Sequence, residues 1–386
     1  TDNPTSVYHK YFIVERNKNM VRRIDSIVNS KSLFIGVGAA HLPGDEGMIE
    51  LLRNEGFTVR SVTSKSSNKS HKMRKKLEAL YKSIPFQEEE TIDDFMKVSV
   101  PGELYEMPTG KVGRMEYLCP EPINGGYYNV IRQFTLGPIF NKDPEFYQKS
   151  LDSLLYIATP GELIKKEYIE FNGYKGYNIL TKTSKNAFVN YNVFFTPTEI
   201  VVLKGFGLKD YILKSGPKSF FSKLSLAPSH SNWTTVTPEF GGAEWQMKGL
   251  VTGQDLIPGL EDSGIEPFYQ SYDQSTKNYY MALRYTLNDL DYIEEDSFDL
   301  AYLGEQFAER LGYDIASTDF STNKGYANIR QELKIKDKYT DRKSSLYINL
   351  ITERGQYYLM CSTTNDADGE KFFNSFKLTD YKLDQP

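Results

Sequence analysis

Two stretches of this chain end in nearly the same way, GPKSFFSKLSL at 216–226 and GEKFFNSFKL at 369–378. A block that recurs at such a distance has to fold into a recurring structural unit, which constrains the architecture more than any single motif. The matches leading up to the two endings keep the same order. An apolar helical pattern comes first, EFYQKSLDSLLYIA at 145–158 and FDLAYLGEQFAERLG at 298–312. Lys-Gly-Tyr follows within a strand pattern, at Lys175–Gly176–Tyr177 and at Lys324–Gly325–Tyr326. Paired strand patterns come next, YNVFFTPTEIVVLKGF and SLYINLITERGQYYLMCS, each with a short turn between apolar halves. The spacing from Lys175 to Phe220 and that from Lys324 to Phe372 differ by three residues.

Each ending has a packing explanation. Gly216 and Gly369 are expected to break the preceding strand, and Phe220–Phe221 or Phe372–Phe373 to begin a short helix that tucks its rings under a sheet. A helix, an antiparallel sheet and a short closing helix make an α+β unit. The two units resemble the PsbP-like α/β sandwich found as a repeated accessory domain in bacterial envelope proteins. The resemblance implies two tandem modules, over 93–228 and 229–386.

The N-terminal region has a different rhythm. YFIVERNKNMVRRIDSIV at 11–28 spaces its apolar residues as an amphipathic helix, and SLFIGV at 32–37 reads as a buried strand. Asp45 then precedes a helix over GMIELLRNEG, with Gly56 at the position of a C-terminal glycine cap and a second strand over 57–62. This is a βαβ-type fragment that needs more sheet than it can supply. Residues 63–76, TSKSSNKSHKMRKK, read as a polar linker running into a solvated helix, with the first domain ending near residue 92. The expected class is therefore a partial α/β segment followed by two α+β sandwich modules.

Glu15–Arg16–Asn17 on the first helix, then Gly38, His41, Leu42–Pro43–Gly44 and Gly56, together resemble the C-terminal half of the TraB/GumN family, which includes the Tiki-type proteases. The resemblance covers about one sixth of the chain. It implies a metal-dependent peptidase site built from two G-x-x-H motifs, a glutamate and an arginine, with Glu15, Arg16 and His41 as the catalytic candidates here. It also implies that Gly38 and Gly44 form the turn presenting the site, and that His41 ligates a divalent metal ion. The residues suit those tasks: an imidazole can bind a metal or move a proton, an arginine can offset a developing negative charge, and a glutamate can serve as acid or base. Adjacent helical residues point about 100° apart, so Glu15 and Arg16 cannot both face one centre squarely. Only one G-x-x-H is present, because His9, His71 and His230 lack the glycine. Its counterpart is expected in an upstream half of the same protein or in another chain, and this chain alone is expected to be inactive.

Other features narrow the function. A balance of 46 basic and 51 acidic residues creates no field that would draw nucleic acid, and no apolar run is long enough to span a bilayer. Cys119 and Cys361 make neither a disulfide framework nor a zinc site. The acidic stretch 288–299 lacks the spacing of a calcium loop and reads as a solvated loop capping a helix, while DADGE at 366–370 reads as a turn. The chain begins at Thr1 and is expected to be a processed or partial product. Low cysteine and abundant tyrosine suit the bacterial cell envelope, periplasmic or outer-membrane associated, with envelope proteins as partners. Two functions follow: half of a metallohydrolase, or a non-catalytic scaffold in an envelope complex.

Overall fold

The computed structural model describes residues 13–63, 68–80, 85–91, 93–107, 109, 113–238, 241–254, 267–285, 295–323, 325–335, 345–353 and 356–381. The chain divides into two units, Thr1–Ala79 and Leu80–Pro386.

In the first unit the apolar periodicity of the N-terminal region produces α1 (Glu15–Val28), which buries Val21 and Asn17. A single 3-10 turn follows at Ala39–His41, then α2 (Met48–Asn54) and α3 (Asn68–Leu80). Gly47 takes the N-cap position of α2, and no side chain caps it. The strands expected over 32–37 and 57–62 do not form. Both stretches are irregular, and Phe34 is fully exposed with Val62 at 84% exposure. A strand exists only through hydrogen bonds to a neighbour, and among the described residues neither segment has a ladder partner.

The second unit is where alternation of apolar and polar residues dominates. Along Arg114–Glu121 every second residue, from Met115 through Tyr117 and Cys119, is buried, as a half-covered strand requires. Ten strands make up its first half: β1 (Gln87–Glu90), β2 (Met96–Val100), β3 (Tyr105–Met107), β4 (Arg114–Glu121), β5 (Gly126–Phe134), β6 (Glu162–Phe171), β7 (Tyr174–Lys182), β8 (Phe188–Phe195), β9 (Glu199–Gly207) and β10 (Ser225–Leu226). They form a seven-stranded antiparallel sheet of order β3-β4-β5-β9-β8-β7-β6 and a small sheet β1-β2-β10. Helix α4 (Pro144–Ala158) lies between β5 and β6 in sequence, and α5 (Ser215–Ser222) between β9 and β10.

The second half repeats this plan. Strands β11 (Trp233–Val236), β12 (Gly241–Lys248), β13 (Leu250–Gln254), β14 (Phe268–Tyr272), β15 (Tyr279–Tyr285), β16 (Tyr313–Asn323), β17 (Tyr326–Ile335), β18 (Ser345–Glu353), β19 (Gln356–Ser362) and β20 (Lys377–Tyr381) assemble as β13-β14-β15-β19-β18-β17-β16 and β11-β12-β20. Helices α6 (Asp296–Leu311) and α7 (Ala367–Asn374) take the places of α4 and α5. The α+β reading holds, with two sheets of identical strand order.

The structure sharpens the repeat and corrects its alignment. Phe171 pairs with Tyr174 across the β6–β7 turn, and Asn323 pairs with Tyr326 across the β16–β17 turn. The counterpart of Tyr326 is therefore Tyr174 and not Tyr177, which explains the three-residue discrepancy in spacing. Asn172 and Gly173 both have positive φ, the twist that a two-residue hairpin turn requires, and Gly325 has φ +96°. Lys324 lies outside the described residues. A constant offset of 152 residues now relates Tyr174 to Tyr326, Tyr128 to Tyr280 and Phe220 to Phe372. In both halves the tyrosine and phenylalanine rings meet, at 5.0 Å for Tyr128–Phe220 and 5.2 Å for Tyr280–Phe372. Gly216 and Gly369 do not break strands, as they sit inside α5 and α7, and the paired phenylalanines lie toward the ends of these helices.

The two sheets share one continuous core that runs from Phe95 and Val130 through Phe268 to Leu350 and Cys361. Phe134 touches Phe268 at 5.2 Å across the junction. A buried ion cluster lies beside it. Arg132, with no exposed surface, donates Nε to Glu199 at 2.7 Å and Nη1 to Asp93 at 2.6 Å. The other Asp93 oxygen accepts from the backbone N–H of Gly253 on β13, 3.1 Å away. One guanidinium thus ties the first sheet to the second.

Candidate functional site

Helix α1 carries an asparagine on its buried face, and that determines the local geometry. Val14, Asn17 and Val21 recur at helical spacing and are all buried, so Asn17 occupies a position that packing alone would give to an apolar residue. A fully buried amide must find partners for its hydrogen-bonding atoms. Asn17 Nδ2 donates to the carbonyl oxygen of Glu46 at 2.8 Å and to that of His41 at 3.3 Å. Its Oδ1 lies 2.7 Å from His41 Nδ1.

These contacts settle the tautomer of His41. Because the amide nitrogen is committed to two carbonyls, Oδ1 faces the ring as an acceptor and Nδ1 must carry the proton. In the neutral ring Nε2 then presents a lone pair, and among the described residues it has no partner. The same arrangement orients histidines that bind metals or accept protons: a second group holds one ring nitrogen so that the other is free.

The turn that carries His41 is built differently from expectation. Gly38 has φ −65° and ψ 148°, ordinary for any residue, and a Cβ there would meet nothing closer than His41 Cδ2 at 3.9 Å. Gly38 therefore does not owe its place to backbone strain or crowding. The turn needs glycine at Gly44, with φ +90°, and at Gly47, where a Cβ would fall 2.4 Å from the carbonyl oxygen of Pro43.

The other two candidates differ in surroundings. Glu15 pairs with Lys18 at 3.4 Å, and Lys18 also reaches Glu46 at 3.1 Å. The hydrogen bond that Lys18 donates to the Glu46 carboxylate raises the Lys18 pKa, with a smaller contribution from Glu15. This links α1 to the loop after His41 a second time. Arg16 is exposed and makes no ion pair among the described residues. His71 is exposed on α3 and the His230 ring accepts from the N–H of Asn232 at 3.3 Å, while His9 lies outside the described residues. Asn17 is what the residue-type reading missed. It stood in the Glu-Arg-Asn motif but carries no chemistry of its own, and its function is visible only through its partners.

A metal ion requires about three protein ligands in a catalytic centre. His41 offers one, and among the described residues no three His, Cys, Asp or Glu side chains are grouped to hold an ion. The residues present suit one ligand position and do not by themselves make a metal centre. The thiols offer no alternative chemistry. Burial pushes Cys119 up to about 11 and Cys361 up to about 12, so both stay protonated near neutral pH and neither is a ready nucleophile.

Elsewhere, the sequence candidates that lie among the described residues are structural. Asp366 caps α7 by accepting from the N–H groups of Asp368 and Gly369, so DADGE is a turn and helix cap. Asp299 is buried and accepts from Tyr357 Oη at 3.0 Å, while Asp289, Asp291 and Glu294 lie outside the described residues. Trp245 stacks on Phe376 in the core.

Architecture and site together define a class: a helical segment presenting an oriented histidine, joined to a pair of α+β sheet modules. Residues 2–61 match the TraB/PrgY/gumN family model. A search of curated proteins found no match. Among solved structures, the chain is similar to cyanobacterial PsbP (CyanoP) from Synechocystis sp. PCC 6803, with a TM-score of 0.29 and 11% identity over 39% of this chain and 94% of that one. It is also similar to the type VI secretion immunity protein TplEi of Pseudomonas aeruginosa, with a TM-score of 0.20 and 9% identity over 76% of this chain and 97% of that one. No helix among the described residues is long and apolar enough to cross a membrane.

Proposed function

We propose that residues 1–92 are one half of a TraB/GumN-type hydrolase site, completed by a strand-bearing segment of the same protein or of another chain. The observation that carries this reading is the Asn17–His41 pair. A buried amide on a helix is spent on fixing one imidazole with Nε2 open, an arrangement with no packing benefit over a leucine at the same position. In this reading His41 Nε2 is a ligand to a divalent metal ion or the acceptor of a proton, Glu15 is an acid or base, and Arg16 offsets charge on the substrate, a peptide. The irregular segments 32–37 and 57–62, with Phe34 and Val62 exposed and no ladder partner among the described residues, are where the added strands would pair. The modules 93–228 and 229–386 hold this site at the bacterial cell envelope and bind envelope proteins there.

The test compares the 386-residue chain with a product that also contains a second strand-G-x-x-H segment. Peptide hydrolysis and bound metal are expected only in the longer product, and both are expected to fall with His41→Ala. Hydrolysis by this chain alone that depends on His41, or a longer product indifferent to His41, would overturn the proposal. A second reading, a non-catalytic binding or scaffold component of an envelope or outer-membrane complex, draws support from the extent of the sheet modules, whose strands run from Gln87 to Tyr381.

A further inference from the structure

Helix α6 does not lie flush on the second sheet. A cavity of about 150 Å³ separates them toward the C-terminal end of the helix. Leu303 and Phe307 form its helix wall, and Leu283, Leu350 and Leu359 form its floor on β15, β18 and β19. Gln306 and Arg310, four residues apart on one face of α6, are the polar residues that α6 adds to the lining besides Tyr302, half-buried and exposed respectively. Arg310 is exposed, stands in the last turn of α6, and has no acidic partner among the described residues. Arg330 on the same sheet shows the contrast, since Glu370 holds its guanidinium at 2.7 Å.

A chamber of this volume is large enough for a benzene-sized group. Two donors at the rim of an apolar chamber select a ligand with one charged acceptor and one apolar end. We propose that this cavity is a binding site for an apolar monocarboxylate, its ring or short alkyl end between Leu303, Phe307 and Leu350 and its carboxylate on Arg310 and Gln306. The site is separate from His41 and stands whether or not that histidine is catalytic.

The probe is 4-phenylbutyrate, titrated calorimetrically into the full chain, with 4-phenylbutan-1-ol as the uncharged comparator. Saturable binding of the acid is expected, with the alcohol at least about tenfold weaker, as expected for a lost charge-assisted hydrogen bond. Arg310→Ala, at an exposed position, is expected to weaken the acid to the level of the alcohol. Leu303→Phe fills the chamber and is expected to abolish binding of both ligands. If Leu303→Phe does not fold, the Arg310→Ala comparison decides alone. No saturable binding of the acid, or equal binding of acid and alcohol with no effect of Arg310→Ala, would overturn the site.

Discussion

Replacing Asn17 with alanine removes the side-chain hydrogen bond that orients the His41 ring. The loss comprises the 2.7 Å contact to Nδ1 and the donations to Glu46 and His41 carbonyl oxygens. Each net bond contributes about 0.5–1.5 kcal/mol, and groups left without a partner add a desolvation cost. The loop is partly open to water, which can replace some partners, so the estimate is about 2–3 kcal/mol for local opening of residues 38–47. Hydrogen exchange of the His41 and Gly47 amides, whose carbonyl acceptors are Gly38 and Gly44, reads that opening directly. The more telling assay is nitrogen-15 NMR of the His41 ring. The native protein is expected to show the Nδ1–H tautomer, and Asn17→Ala a mixture. Asn17→Asp should keep the acceptor for Nδ1 but set a carboxylate against the Glu46 carbonyl, so that tautomer and loop stability separate. A native Nε2–H tautomer, or a ring indifferent to Asn17→Ala, would refute the derivation.

Two further outcomes follow from the buried charges. Arg132→Met leaves the Glu199 and Asp93 carboxylates without their cation in the core, and should destabilise the second unit by about 3–5 kcal/mol in urea denaturation; a loss under about 1 kcal/mol would contradict the bridging role. Asp273 has no exposed surface, and although that burial alone would raise its pKa, hydrogen bonds from Ser231, Ser275, Thr276 and Lys248 hold it below the usual carboxylate range. Its folded-state pKa therefore lies below the unfolded value of about 3.9, so its contribution is complete above that pH and is lost as pH falls toward the folded value. Asp273→Asn should lower stability at neutral pH and flatten the loss below about pH 4; parallel stability curves for the variant and the native protein would refute it.

Much of the second unit was readable from the chain because its signals are local. Alternating side chains announce the strands, and paired phenylalanines announce the closing helices, since each is decided within a few residues. The repeat was visible too, but its alignment through Lys-Gly-Tyr was three residues off. Residue type matched Tyr177 to Tyr326, whereas strand pairing matches Tyr174, a long-range fact. The strands anticipated over 32–37 and 57–62 failed for the opposite reason. Their composition is right, but a strand is a property of a pair, and among the described residues the partner is missing.

The sequence by itself determined the two-module plan, the α+β class and the presence of a glycine-rich turn with His41. Only tertiary structure decided which residues work together. Arg132 meets Asp93 and Glu199 across separations of 39 and 67 residues, and Asn17 meets His41 across 24. No periodicity encodes such pairings, because they depend on where whole elements pack. Asn17 shows this most plainly: in the chain it is a polar residue on an amphipathic helix, and in the fold it fixes which nitrogen of His41 is free.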